Sequence, residues 1–141
     1  MYFQIHDLEL KLELELLSAR AIALKAYDYA QSKRKFIAIV SDTFFTSEFL
    51  RSVLSKNGFS NYDLLWSSAE TKLLKHTGNI YPKLIEEVGG DSGSILHVGD
   101  NLISDIKQAQ KYGINALHLP RTLDALKEMT GLDSALHFND H

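Results

Sequence analysis

Apolar and polar positions change their rhythm several times along this chain. In residues 7–17, Asp-Leu-Glu-Leu-Lys-Leu-Glu-Leu-Glu-Leu-Leu, leucines alternate with charged residues at a period of two. That period argues for a strand. Leu, Glu and Lys are strong helix formers, however, and no residue here is β-branched, so the reading adopted is a helix. Such a helix carries leucines on more than one side, and part of it must face a partner or another domain. From Ala19 to Ala30 the spacing is plainer. Ala19, Ile22, Ala23, Ala26 and Ala30 form one helical face, and Lys33, Arg34 and Lys35 close it where the helix dipole favours cations.

Residues 36–40 are a short apolar run with β-branched members, expected as a fully buried strand that ends at Ser41-Asp42-Thr43. Thr46 or Ser47 can cap the next helix, whose core face is Phe49, Leu50, Val53 and Leu54, and Gly58 stops it. A second strand is expected over 62–66, running into Ser67-Ser68. Asn79 and Pro82 mark a helix start and Gly89-Gly90 its end. A strand follows at 94–98, then a helix at 102–112 stopped by Gly113, and a strand at 115–119 broken by Pro120. Thr122 can cap a last short helix. Strands alternating with helices at this spacing predict βαβ crossovers and a parallel sheet, an α/β fold.

The totals narrow the classes. With 141 residues the chain reads as one domain with a real core, and 45% hydrophobic, 10% aromatic and 23% charged residues exclude a disordered or collagen-like chain. A net charge of −3 gives no reason to expect nucleic acid or an anionic membrane as partner. The absence of cysteine excludes disulfides, thiol catalysis and thiolate metal sites. Nothing approaches the ~20 apolar residues of a membrane span, and no signal-peptide pattern opens the chain, so a cytoplasmic protein is expected.

The most informative stretch is Ile95 to Asp105, Ile-Leu-His-Val-Gly-Asp-Asn-Leu-Ile-Ser-Asp. An apolar run with Ile95, Leu96 and Val98 reaches Gly99, then Asp100, with Asp105 five residues later. A buried strand ending this way holds a carboxylate at its C-terminal tip, where open α/β sheets bind ligands. Asp105 would return to the same mouth from the next helix, and two carboxylates suit Mg²⁺. Strand tips at Ser41-Asp42, Ser67-Ser68, Gly99-Asp100 and Pro120 share one edge of such a sheet. With a lysine from the segment between the second and third strands, they suit a phosphate and its metal: Ser41 and backbone N–H groups for oxygens, the lysine for charge, Asp100 for Mg²⁺.

In these residues the chain resembles the haloacid dehalogenase superfamily of Mg²⁺-dependent phosphohydrolases, over 19–121. Ile37-Ala38-Ile39-Val40-Ser41-Asp42-Thr43 is similar to the family's second motif, a hydrophobic strand ending in Ser or Thr. Lys75, six residues before Tyr81, is placed like the third-motif lysine, with Lys72 as a rival. Gly99-Asp100 with Asp105 resembles the fourth motif, and Ala109 and Gly113 continue it. Ser-Asp-Thr-Phe-Phe with Lys75-His76-Thr77-Gly78 is similar to a branch attached to surface-polysaccharide enzymes. The resemblance implies a three-layer Rossmann-like core with a short parallel sheet over 19–132, a helical cap remnant over 1–18 and a tail over 133–141. It implies Ser41 and Lys75 as catalytic residues, and Ser41, Asp42 and Lys75 for phosphate. Asp100 and Asp105 would serve Mg²⁺, and the substrate would be a small phosphorylated metabolite.

One departure qualifies the match. The family's first motif, a strand ending in Asp-x-Asp that supplies the nucleophile, has no counterpart here. Asp7 and Asp28 are the upstream aspartates; Asp7 follows a short candidate strand, residues 2–5, without a second acid, and Asp28 lies inside an expected helix. A covalent aspartyl-phosphate mechanism needs that carboxylate. The chain therefore reads as a fragment of a longer enzyme or a relic that does not turn over alone. A missing middle strand would leave a gap in the sheet, to be closed by direct pairing, by residues 1–6 or by another copy. A homodimer through the leucine-rich helix is expected.

Simpler roles compete at each position. Ser41 can cap a turn, Lys75 can be a solvated lysine, and Asp105 can cap its helix. His97 and His118 read as satisfied core histidines, and Tyr27, Tyr29 and Trp66 as packing. The competing function is a non-catalytic module of the same fold that serves assembly. A phosphoacceptor receiver domain is disfavoured, because the required order of acidic motifs is missing.

Overall fold

The computed structural model describes residues 2–121 and 124–126. Residues 124–126, in the short helix expected after Thr122, are helical, and the tail from 133, with His137, Asp140 and His141, lies outside the described residues. Backbone packing divides the chain into two units, residues 1–73 and 74–141.

In the first unit, Tyr2–Leu16 is helical throughout (α1), so helix propensity outweighs the period-two pattern and no strand forms at 2–5. Its leucines do stand outward: Leu8, Leu12 and Leu16 are 57%, 47% and 76% exposed. The next helix, Ala21–Ser32 (α2), turns inward a face that only partly overlaps the one expected. Ala23, Leu24, Tyr27, Ala30 and Gln31 are half-buried, while Ile22 and Ala26 are exposed. The larger side chains decide this. Tyr27 packs edge-on against Phe59 at 5.0 Å, and its hydroxyl donates to the Asn61 carbonyl at 2.9 Å and accepts from the Asn61 N–H at 2.8 Å. Alanines offer too little area to compete.

Strand Ala38–Ser41 (β1) leads to helix Ser47–Lys56 (α3), which Thr46 caps by accepting from the Phe49 N–H at 3.3 Å. Its half-buried face is Phe49, Leu50, Val53 and Leu54, as the apolar spacing requires. Asn57 at its end accepts from the Ala19 N–H at 2.7 Å and donates to the Leu17 carbonyl at 3.2 Å, tying down the link between α1 and α2. Gly58 follows at φ +88°, a conformation that favours glycine. Strand Leu64–Ser67 (β2) runs parallel to β1 in the register Ala38↔Leu64 to Ser41↔Ser67. A one-turn helix, Ser68–Thr71 (α4), then begins directly at the strand end. β1 is half-buried and Phe36 is 55% exposed, so the fully buried strand expected there is not found.

In the second unit, helix Ile80–Glu87 (α5) buries Ile80, Tyr81 and Leu84. A 3₁₀ turn at Ser92–Ser94 precedes strand Leu96–Gly99 (β3), then come a π-helical segment at Leu102–Lys107, helix Gln108–Lys111 (α6) and strand Asn115–His118 (β4). β4 runs parallel to β3 from Leu96↔Asn115 to Gly99↔His118. Ile80, Tyr81, Leu84, Ala109 and Ile114 form the core. The buried run expected at Ile95–Val98 is corrected: burial alternates along β3, with Leu96 59% and Val98 37% exposed. Strand side chains alternate between faces, so His97 and Gly99 face inward and Leu96 and Val98 outward.

The described strands thus form two parallel pairs, β1–β2 and β3–β4. Among the described residues no helix is long and apolar enough to cross a membrane.

Candidate functional site

The second unit gathers its charged groups at the C-terminal end of β3. After Gly99 the chain turns at Asp100 and enters the π-helical segment. Asn101 shapes that entry: its side-chain oxygen accepts from the Ile103 N–H at 2.9 Å and the Ser104 N–H at 3.0 Å. Its carbonyl accepts from Asp105 at 2.9 Å and, five residues on, from Ile106 at 3.3 Å, which is the wider turn of a π-helix. The turn carries Asp105 back beneath the strand, where it is 2% exposed.

Asp105 is the centre of the arrangement. Oδ1 accepts from the Lys75 ammonium at 2.6 Å and lies 3.2 Å from His97 Nε2. Oδ2 accepts from the Asn101 N–H at 2.9 Å. An ionised carboxylate accepts only, so His97 Nε2 must carry the proton of that contact. Burial is the largest single influence on Asp105 and pushes its carboxyl upward. The bonds from His97, Lys75 and the Asn101 N–H, with the ammonium charge, outweigh it and hold the group well below the usual carboxylate range. Tyr81 supports the cluster from α5. Its ring meets His97 edge-on at 5.5 Å, and its hydroxyl donates to the Ser104 carbonyl at 2.6 Å.

Gly99 makes this packing possible. A Cβ built there would sit 2.5 Å from the Asp105 Cβ and closer still to Cγ and Oδ2. Close approach of strand and turn, rather than a positive φ, is what requires glycine.

Asp100 differs from Asp105 in its setting. Its side chain is 36% exposed, and Oδ2 accepts from Arg121 Nε at 2.9 Å. Its carbonyl lies 3.0 Å from His118 Nε2. Each carboxylate therefore has a cation against it, one buried and one near solvent.

The lysine alternatives separate clearly. Lys75 reaches Asp105, whereas the Lys72 ammonium turns back to the Ala69 carbonyl at the end of α4. In the first unit, Ser41 is half-buried at the tip of β1, opposite Ser67, and Asp42 is exposed. The turn after Ser41 is stitched to Ser68, whose hydroxyl donates to the Thr43 carbonyl and accepts from the Thr43 N–H, both at 2.9 Å.

His97 is the satisfied core histidine expected from the sequence; what sequence reasoning missed is its partner, Asp105. The signal was present. Strand side chains alternate, so His97 shares a face with Gly99, and a glycine that makes room for a carboxylate places His97 beside it.

The donor set limits what a metal could use. Among the described residues no group of three or more His, Asp or Glu side chains could hold a metal ion. Asp105 has its oxygens engaged, and the ammonium on Oδ1 would repel a divalent cation there. Asp100 fits one ligand position: a cationic guanidinium already stands against it, and Mg²⁺ is commonly held by one or two carboxylates with waters and phosphate oxygens.

No family model matches the sequence, and no curated protein matches it either. Among solved structures the chain is similar to a HAD (haloacid dehalogenase) phosphatase from Thermococcus onnurineus, with a TM-score of 0.65 and 20% identity. The match covers 86% of this chain and 62% of that one, so the chain spans less than two thirds of that protein's length. The fold is α/β, Rossmann-like and of the HAD type.

Proposed function

We propose that the rim at the end of β3 belongs to a phosphohydrolase site of the HAD type. In a complete enzyme such a site hydrolyses a small phosphorylated metabolite with Mg²⁺. The observation that carries this reading is the Lys75–Asp105 pair at 2.6 Å, set beside Asp100 at a strand tip in a fold of that type. Asp105 holds the Lys75 ammonium where a phosphate's charge would be offset. His97 and the Asn101 N–H hold Asp105 in turn. Asp100 would be a ligand for Mg²⁺, which would supply further charge neutralisation for the phosphoryl group. In the first unit, Ser41 and Asp42 carry the phosphate-binding role implied for the tip of β1.

The sequence contains no Asp-x-Asp, so an attacking carboxylate of the family's kind must come from outside these residues. The chain alone is therefore inert. The test has two parts. Inorganic phosphate with Mg²⁺ is expected to shift the imidazole NMR signals of His97, and the shift should vanish in Lys75→Met and Asp100→Asn; no shift in the wild type overturns the site. With p-nitrophenyl phosphate and Mg²⁺ no turnover is expected, and turnover abolished by Asp100→Asn would overturn the claim of inertness.

A second reading, a non-catalytic module of the same fold that serves assembly, is favoured by the exposed stripe Leu8, Leu12 and Leu16 on α1. Four-residue spacing puts these leucines on one side of the helix. We propose that a second copy of the chain covers them, giving a homodimer. Light scattering at micromolar concentration should find a dimer; a monomer overturns this contact.

A further inference from the structure

The sequence holds one Asn-Gly pair, Asn57-Gly58, and it lies at the C-terminal end of α3. We propose that Asn57 is a covalent modification site. Its side-chain amide closes on the Gly58 nitrogen when the link between α1 and α2 opens, and the product holds that link open.

Glycine after asparagine favours this reaction, because no side chain obstructs attack by the glycine's own nitrogen. The Gly58 nitrogen gives its proton to water and bonds to Asn57 Cγ. The Cγ–Nδ2 bond then breaks, and the departing NH₂ takes a proton from water and leaves as ammonia. A five-membered imide remains. Water opens it at either carbonyl, leaving aspartate or its β-linked isomer in place of the asparagine. The net change is amide plus water to carboxylic acid plus ammonia, with no oxidant or reductant.

In the closed fold the groups this step needs are engaged. Asn57 Oδ1 accepts from the Ala19 N–H at 2.7 Å, and Nδ2 donates to the Leu17 carbonyl at 3.2 Å and the Val53 carbonyl at 2.8 Å. The Gly58 N–H donates to the Ser55 carbonyl at 3.2 Å. Turning Cγ onto the Gly58 nitrogen breaks these bonds, so cyclisation waits for local opening. Lys56 closes the same segment, its ammonium donating to the Leu14 carbonyl at 2.5 Å and the Glu15 carbonyl at 2.9 Å.

The product cannot rebuild the link. A carboxylate accepts only, so it can keep the Ala19 N–H, but the Leu17 and Val53 carbonyls lose their donor and face a negative oxygen. The new charge also stands at the C-terminal end of α3, where the helix dipole disfavours an anion. One opening is thus turned into a lasting release of the end of α1.

The experiment incubates the full chain at mildly alkaline pH and follows conversion at position 57 by peptide mass spectrometry. Conversion is expected in concentrated urea and should be at least about tenfold slower in native buffer. Lys56→Met, which loosens the link without touching the Asn-Gly pair, should fall between the two. Trypsin cleavage after Arg20, inside the link, should be at least about threefold faster in Asn57→Asp than in wild type, with a lower urea midpoint. Asn57→Gln keeps an amide whose longer arm closes a ring far less readily; it should show no conversion and be cut at a rate nearer the wild type. Equal conversion in native buffer and urea, or none in urea, overturns the site. If Lys56→Met converts no faster than wild type, the link is not what guards Asn57. If Asn57→Asp is cut after Arg20 no faster than wild type, the lasting release is wrong.

Discussion

Replacing Gly99 with alanine probes the closest packing in the second unit. The added Cβ would stand 2.5 Å from the Asp105 Cβ, far inside contact distance, and nearer still to the carboxyl. Asp105 cannot simply swing aside, because Lys75, His97 and the Asn101 N–H all hold it. Either the turn after β3 moves or the carboxylate leaves its partners. Overpacking of a well-filled site costs about 1–3 kcal/mol. Breaking a buried, hydrogen-bonded charge pair costs about 3–5 kcal/mol. Gly99→Ala should therefore destabilise the fold by about 3 kcal/mol or more, a large share of a typical stability of about 5–15 kcal/mol. Urea unfolding followed by far-UV circular dichroism measures it. The diagnostic step is a double-mutant cycle. With Asp105→Gly already in place the obstructing side chain is gone, and the added cost of Gly99→Ala should fall below about 1 kcal/mol. If the two substitutions destabilise additively, the close approach of strand and turn is not what demands glycine, and the reasoning fails.

The other predictions concern single contacts. Asp105 titrates below its ordinary value of about 3.9 when folded, so its contribution is complete above that pH and is lost as pH falls toward the folded value; the stability gap between wild type and Asp105→Asn should narrow below about pH 4 in urea melts. Lys75→Met leaves the buried Asp105 charge without its ammonium and should cost about 3 kcal/mol, partly recovered in the double variant with Asp105→Asn. Tyr81→Phe removes the donor to the Ser104 carbonyl in the core and should cost about 1–2 kcal/mol by urea midpoint. Thr46→Ala removes the cap of α3 and should cost about 1 kcal/mol, restored in large part by Thr46→Ser.

Much of the architecture was legible because it depends on local order. Helix α3, with its Thr46 cap and its face of Phe49, Leu50, Val53 and Leu54, follows from spacing and one hydroxyl. The β3 tip at Gly99 follows from an apolar run meeting a glycine and an acid. The inward face of α2 followed only in part, because alanines mark a helical stripe without saying whether Tyr27 will find Phe59 from another element. The expectation of doubly buried strands failed for a similar reason. Apolar runs are compatible with cover on two faces, and only the packing shows that Leu96 and Val98 stay exposed.

By itself, then, the order of residues determined the alternation of strands and helices, the sharp turn at Gly99-Asp100, and the presence of acids at strand tips. These are consequences of periodicity and of backbone freedom, which act over a few residues. Only the tertiary structure decided which cation meets which carboxylate. Lys75 joins Asp105 across 30 positions and Arg121 joins Asp100 across 21, and the first pair is buried while the second is near solvent. Distance along a chain carries no information about dielectric surroundings, and it is those surroundings that give two similar aspartates different chemistry.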